Sequence, residues 1–262
     1  MGGVGFLVSL TLNLFLGYTI YQQKQANLVK VIGVIDGDTV VLENKTRLRL
    51  RQMDAPEPKY CGGKQATELL SSLVLNKMVK IDEQIPDQMG RAMAFLIVED
   101  VQVNEQMLAS GWARYHSDAT SQTAKLKEVS RQAKDGKKGI YSELCLQTKN
   151  ADNPKCIIKG NLENKRTSGR KLYYLSNCAQ YQFVQIEKDL GEQWFCTEKE
   201  ASAAGYIKAE TCPKVGEEII ISFYVLIFME IDSAGAGKAN SLWLSKLEQI
   251  GLNLLLALII YY

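Results

Sequence analysis

The chain has 262 residues, 46% hydrophobic and 23% charged, so a sizeable core is expected and wholesale disorder is not. Its 31 basic and 29 acidic side chains leave a net charge of +2, too mild to mark a nucleic-acid binder by charge alone. A single histidine, His116, excludes two-histidine hydrolytic and zinc sites within one chain, so hydrolysis would have to run on carboxylates, guanidiniums, amines, thiols or hydroxyls.

Residues 4–21, VGFLVSLTLNLFLGYTIY, carry no charge and are about long enough to cross a bilayer core of roughly 30 Å as a helix. An N-terminal anchor over residues 1–23 is the preferred reading, with a cleaved signal and a buried helix as the others. No small-x-small cleavage site follows in QQKQANLVK.

From Leu28 the pattern changes. Residues 28–35 and 39–43 are rich in Val and Ile, with Asp36-Gly37-Asp38 between them, and residues 47–53 alternate polar with apolar, so all three read as strands. A helix is expected over 65–75, with Ala66, Leu69, Leu70 and Leu73 on one face. Strands follow at 78–82 and 92–98, then a short helix at 103–110 stopped by Gly111, then a polar helix at 120–134. Strands first, with helices interleaved late, suggest a small barrel with packed helices rather than a parallel βαβ sheet.

A second module is expected over 151–214. It has short strand-like pieces and a helix at 198–204, for which Thr197 and Glu200 form a capping box. Residues 216–262 form a hydrophobic tail with a net charge of −3, against +3 for residues 24–150. Neither apolar run of this tail reaches a standard span of roughly 20 residues. It could lie at a membrane interface, pack on the N-terminal helix or fill a groove.

Three short pieces carry chemistry together: Asp36-Gly37-Asp38-Thr39, Arg49 with Asp54-Ala55-Pro56-Glu57, and Gly90-Arg91. Alone, each has a plain explanation as a hairpin turn or a stiff loop. In combination, Asp38 begins one strand and Asp54 ends the strand that contains Arg49. If those strands pair, two carboxylates meet at one sheet end, where repulsion raises the cost of ionising both unless a cation joins them. Hard oxygen donors favour Ca²⁺ or Mg²⁺. One metal, a spare carboxylate at Glu57 and two guanidiniums suit attack on a phosphodiester.

In this order the pieces, followed by V-N-E-x-x-L-x-x-G-x-A at 103–113 and the close Gly139-Ile140-Tyr141-Ser142-Glu143, make residues 28–146 resemble the staphylococcal nuclease family. The resemblance implies a mainly β fold with helices: a five-stranded OB-type barrel plus three helices, followed here by a small α+β module. It implies Ca²⁺-dependent hydrolysis of DNA and RNA to 3′-phosphate ends. Asp38 and Asp54 match the direct calcium ligands, Ala55 the backbone carbonyl ligand, and Asp36 the acid that reaches the metal through water. Glu57 matches the general base, and Arg49 and Arg91 match the arginines that bind the phosphate. Ala55 stands where the archetype has threonine and Met89 where it has tyrosine, and Tyr115 is out of register with the nucleotide-flanking tyrosines. Base binding is therefore expected to be weaker or differently arranged.

Six cysteines, Cys61, Cys145, Cys156, Cys178, Cys196 and Cys212, favour disulfides behind an export-type N-terminus. The competing reading is a zinc site from the last four, which lack any CxxC knuckle. The second module resembles a small domain found after bacterial nuclease domains, and its basic residues Lys159, Lys165, Arg166, Arg170 and Lys171 could form a docking surface or merely a solvated loop. The leading expectation is a monomeric nuclease, held in the cell membrane with its active domain extracytoplasmic, or secreted. A non-catalytic nucleic-acid- or protein-binding module is the alternative.

Overall fold

The computed structural model describes residues 28–163 and 169–213. The expected segment 1–23 and the tail 216–262 lie outside the described residues, as do Lys165 and Arg166. Among the described residues no helix is long and apolar enough to cross a membrane.

The described chain is mainly β with a few helices, consistent with an OB-like fold in its first part. Strands β1 (Leu28–Val34), β2 (Thr39–Leu42) and β3 (Arg47–Leu50) form an antiparallel meander. After the two-residue β4 (Met53–Asp54) and helix α1 (Gly63–Val74) come β5 (Met78–Pro86), β6 (Ala92–Val98) and β7 (Val101–Gln102). The sheet order is β3-β2-β1-β5-β6-β7, and β3 also pairs with β6 in parallel, so the sheet returns on itself. Strand β5 runs four residues past its expected end, through a register shift between Asp82 and Ile85. Such an interruption removes the two-residue alternation by which a strand is read.

Helix α2 (Val103–Ser110) falls where expected and ends at Gly111, whose φ of 76° is the left-handed cap that glycine adopts without steric cost. Helix α3 (Thr123–Asp135) packs beside it. Val31, Val40, Leu48, Leu70, Phe95, Leu96, Leu108 and Leu126 are fully enclosed between sheet and helices. Asn104 is the polar exception. Its Oδ1 accepts from the Leu96 amide (3.1 Å) and its Nδ2 donates to the Arg51 (2.8 Å) and Ala94 (3.4 Å) carbonyls. This side chain substitutes for ladder bonds where the β3–β6 pairing ends at Leu50 and Ala94.

Two short ladders lie beyond this sheet. β4 pairs with β8 (Arg114–Tyr115), and β9 (Leu146–Gln147) pairs with β12 (Ile186–Glu187). A second sheet runs β13-β10-β11-β14, from β10 (Ile158–Leu162), β11 (Lys171–Tyr174), β13 (Gln193–Phe195) and β14 (Ile207–Lys208). Helix α4 (Glu198–Ala203) closes its core, in which Phe195 meets Tyr206 edge to face at 5.0 Å. The Thr197 hydroxyl caps α4 by accepting from the Glu200 amide, and the Glu200 carboxylate reaches back to the Cys196 amide.

Cys61 is bonded to Cys145 and Cys156 to Cys196, and no cysteine among the described residues is free. The alternative of zinc on the last four cysteines is thereby overturned, because two of its ligands would be consumed by a covalent bond. Lys159 is corrected as well. It is 2% exposed, donating to the Tyr181 and Val184 carbonyls at 2.9 and 2.6 Å, so it is a core residue and no part of a docking surface. Burial pushes its pKa down from the ordinary lysine value.

Candidate active site

The Asp36-Gly37-Asp38 turn joins β1 to β2. The Asp38 amide donates to Asp36 Oδ1 at 3.0 Å, a local bond that short acidic side chains make in turns. A Cβ on Gly37 would stand 2.5 Å from Ala66 Cβ and 2.6 Å from Ala55 Cβ, so only glycine lets the turn press against α1 and the 55–58 loop together. That contact brings Asp38 to Ala55, whose amide donates to Asp38 Oδ2 at 3.0 Å.

Arg49 lies opposite Thr39 on β3 and joins the two acids. Its Nη1 is 2.5 Å from Asp38 Oδ1 and its Nη2 is 2.6 Å from Asp54 Oδ1. The Thr39 hydroxyl also donates to Asp38 Oδ1, at 2.9 Å. Asp38 is 2% exposed, and burial pushes its carboxyl up to about 7 despite the Arg49 guanidinium and the Ala55 amide. Burial also opposes the charge on Arg49, but Asp38 and Asp54 outweigh it and hold the guanidinium above its ordinary value.

The structure thus gathers Asp36, Asp38, Arg49, Asp54 and Ala55 through direct contacts or one turn. Glu57 and Arg91 make no such contact with the cluster. Glu57 is exposed between Pro56 and Pro58, and its carbonyl accepts from the Tyr60 amide at 2.8 Å. A Cβ on Gly63 would meet that same carbonyl at 2.1 Å, so α1 starts hard against the loop. Arg91 sits just before Ala92, which pairs with Leu48 beside Arg49. It is oriented by Asp87, which takes Arg91 Nε at 2.6 Å on one oxygen and the Met89 and Arg91 amides at 2.8 Å on the other. Met89 is 77% exposed, whereas Tyr115 is held in the β4–β8 ladder with its hydroxyl buried.

Among the described residues no three carboxylate, thiol or imidazole side chains surround one point. The oxygen groups that the turn and the 54–55 segment bring together are the Asp38 and Asp54 carboxylates and the Ala55 backbone. The set is all oxygen, with two carboxylates drawn to one guanidinium, and hard oxygen donors of this kind fit a hard divalent cation.

Two groups near the site escaped the sequence reading. Arg51 is 6% exposed, ion-paired with Asp118 and bonded to the Glu83 carbonyl at 3.0 Å. Arg114 grips Asp189 through Nε (2.7 Å) and Nη2 (2.9 Å). Burial raises the Asp189 carboxyl, with Arg114 opposing. Partners 67 and 75 residues apart leave no local signal.

Comparison with known proteins shows the family. A family described as staphylococcal nuclease homologue matches residues 47–143. A "Probable staphylococcal-like nuclease" of Oryza sativa subsp. japonica is 38% identical over 102 residues, which cover 39% of this chain and 30% of that protein. An "Uncharacterized endonuclease" of Escherichia coli O157:H7 is 31% identical over 122 residues, covering 44% of this chain and 76% of that protein. The "Thermonuclease" of Staphylococcus hyicus is 29% identical over 126 residues, covering 43% and 75%. The chain thus spans less than a third of the rice protein but three-quarters of the two bacterial ones, and the matched residues contain Arg49, Asp54, Glu57 and Arg91. With these matches added to the Asp38–Arg49–Asp54 cluster, the chain belongs to the staphylococcal nuclease family.

Proposed function

We propose that the chain is a calcium-dependent endonuclease that hydrolyses DNA and RNA to 3′-phosphate ends, working from a membrane tether in residues 1–23 or after export. The observation that carries this reading is Arg49, held 2.5 Å from Asp38 and 2.6 Å from Asp54 at the mouth of what we take to be a five-stranded OB-type barrel. Asp38, Asp54 and the Ala55 carbonyl would hold Ca²⁺, with Asp36 reaching it through water. When bound, the ion supplies positive charge beside the phosphate oxygens.

The chain's own residues supply the rest. Arg49 and Arg91 neutralise the charge that builds on the phosphorane oxygens. Asp87 engages Arg91 Nε and so restricts the plane of the guanidinium. Glu57 takes a proton from water as the water oxygen bonds to phosphorus. The bond from phosphorus to the 5′ oxygen then breaks, and that oxygen takes a proton from a solvent water and leaves as a hydroxyl. The two prolines beside Glu57 restrict its loop and reduce the entropy lost on positioning it. Residues 151–214 act as an accessory module.

The test is digestion of plasmid and single-stranded DNA by the full chain made under oxidising conditions, with Ca²⁺ and with chelator. Cleavage that needs Ca²⁺ and disappears in Arg91→Ala supports the proposal. Binding of DNA without cleavage under any metal would establish the non-catalytic module instead.

A further inference from the structure

The structure has a groove outside the Asp38 cluster, with a volume of about 630 Å³. That lies within the roughly 300–1,000 Å³ of ordinary ligand sites. One wall is the turn that follows Glu57, and the other comes from residues beyond 143, outside the family match. Its chemistry comes mainly from Lys59, Tyr60, Lys171, Lys188, Trp194 and Tyr206.

Aromatic rings and cations lie side by side in it. Lys59 Nζ lies 4.9 Å from the Tyr60 ring centre and Lys171 Nζ lies 5.4 Å from that of Tyr206. The indole of Trp194 is half-buried and anchored by its N–H on Gln147 Oε1 at 2.9 Å. Two acids also line the groove, but both are engaged. Asp152 pairs with Lys188 at 2.7 Å, and Glu192, 2% exposed, accepts from Asn161 Nδ2 and from the Leu162 and Glu187 amides. Lys59 and Lys171 are the exposed cations.

The walls are held in register. Gly191 has a φ of 86°, and a Cβ there would meet the Tyr60 ring at 2.7 Å, so the 188–191 turn lies directly on Tyr60. The Cys61 amide donates to the Lys188 carbonyl, and Lys188 in turn donates its amide to Cys145. Cys61 and Cys156, each in a disulfide, border the groove. Rigid aromatic faces flanked by amines suit a single nucleic-acid strand, whose bases stack and whose phosphates seek cations.

Resting on the nuclease reading above, we propose that this groove is a substrate subsite that takes nucleotides of a single strand running on from the scissile phosphate past Glu57. Its phosphates meet Lys59 and Lys171, and a base stacks on Trp194 or Tyr60. The subsite supplies the aromatic surface that Met89 and Tyr115 do not.

The experiment uses the full oxidised chain and its Lys59→Gln/Lys171→Gln double variant, with Lys59→Glu/Lys171→Glu as a second. Binding of a labelled DNA strand of about 16 nucleotides is followed by anisotropy in chelator over a salt series. The double variant is expected to bind about tenfold more weakly, and to lose about 1.4 from the slope of log K against log salt, two phosphate contacts at about 0.7 each. The ratio of kcat/KM for that strand to kcat/KM for a dinucleotide should fall by a similar factor, and charge reversal should exceed both effects. Equal binding and an equal ratio in wild type and variants overturn the subsite even if DNA is cleaved. Weakened binding in the variants of a protein that cleaves nothing leaves the subsite standing and removes the nuclease reading.

Discussion

Asp38 has almost no exposure, and its polar partners come from its own turn (Asp36 and Thr39), from β3 (Arg49 and the Leu50 amide) and from the loop at Ala55. Its role and that of Arg49 are therefore structural as well as chemical, and the two candidate arginines should separate. Arg91→Ala removes an exposed guanidinium, so activity should fall by about 10³-fold or more with the melting temperature unchanged. Arg49→Ala should lose as much activity and also about 1–3 kcal/mol of stability, because a buried carboxylate is left without its cation. Nuclease assays beside thermal unfolding would check both, and an Arg91→Ala protein with wild-type turnover would contradict the reading. Arg51 yields a prediction with a sign. Its bond to Asp118 holds that carboxyl below its usual value of 3.8. The folded state thus binds this proton less readily than the unfolded state. The stabilisation is full above the ordinary carboxylate range and disappears as pH falls through the lowered value. Asp118→Asn should accordingly melt earlier than wild type at pH 7, with the gap closing below about pH 4. The gathering of Asp36, Asp38, Arg49, Asp54 and Ala55 was legible in the sequence from the turn and the strand ends that carry them, whereas Glu57 and Arg91 rested on the family resemblance. Arg51, Arg114 and Lys159 were not, since their partners are remote carboxylates or carbonyls.

Among the elements, α2 shows how local pattern and tertiary need can coincide. Its bounds followed from apolar spacing and Gly111, and its inward Asn104 then satisfies one amide and two carbonyls of the sheet. Asn104→Leu has the right volume but takes the partner from the Leu96 amide and the Arg51 carbonyl, while the Ala94 carbonyl keeps the Arg51 amide, and urea unfolding should show a loss of about 2–4 kcal/mol. Long strands with continuous alternation were readable. The ladders β4–β8 and β9–β12 have two residues a side, too few to show a period of two; β4 was read as the end of the strand from Arg47, which in fact breaks after Leu50, and β8, β9 and β12 were not expected. Helix α1 begins two residues earlier than its apolar stripe suggests, because Gly63 is placed by close approach to the Glu57 carbonyl rather than by periodicity.

At the scale of the molecule, the described residues up to Ala209 pack as one compact unit. The Arg114–Asp189 grip and the β9–β12 ladder run through it, and the Cys61–Cys145 bond closes a loop 84 residues long. Cutting that bond by Cys61→Ala/Cys145→Ala should cost about 2–5 kcal/mol. It should also lower kcat at temperatures well below melting, since the turn behind Glu57 loses its tie. A double variant with wild-type stability and kcat would show the bond to be idle. A further consequence concerns enzymatic nicking. Arg91 stands exposed on the turn ahead of β6, inside the 84-residue loop, where trypsin could sever the backbone. Because Cys61 lies upstream of that point and Cys145 downstream, a nicked molecule stays a single covalent object, migrating as one band until a reductant releases two.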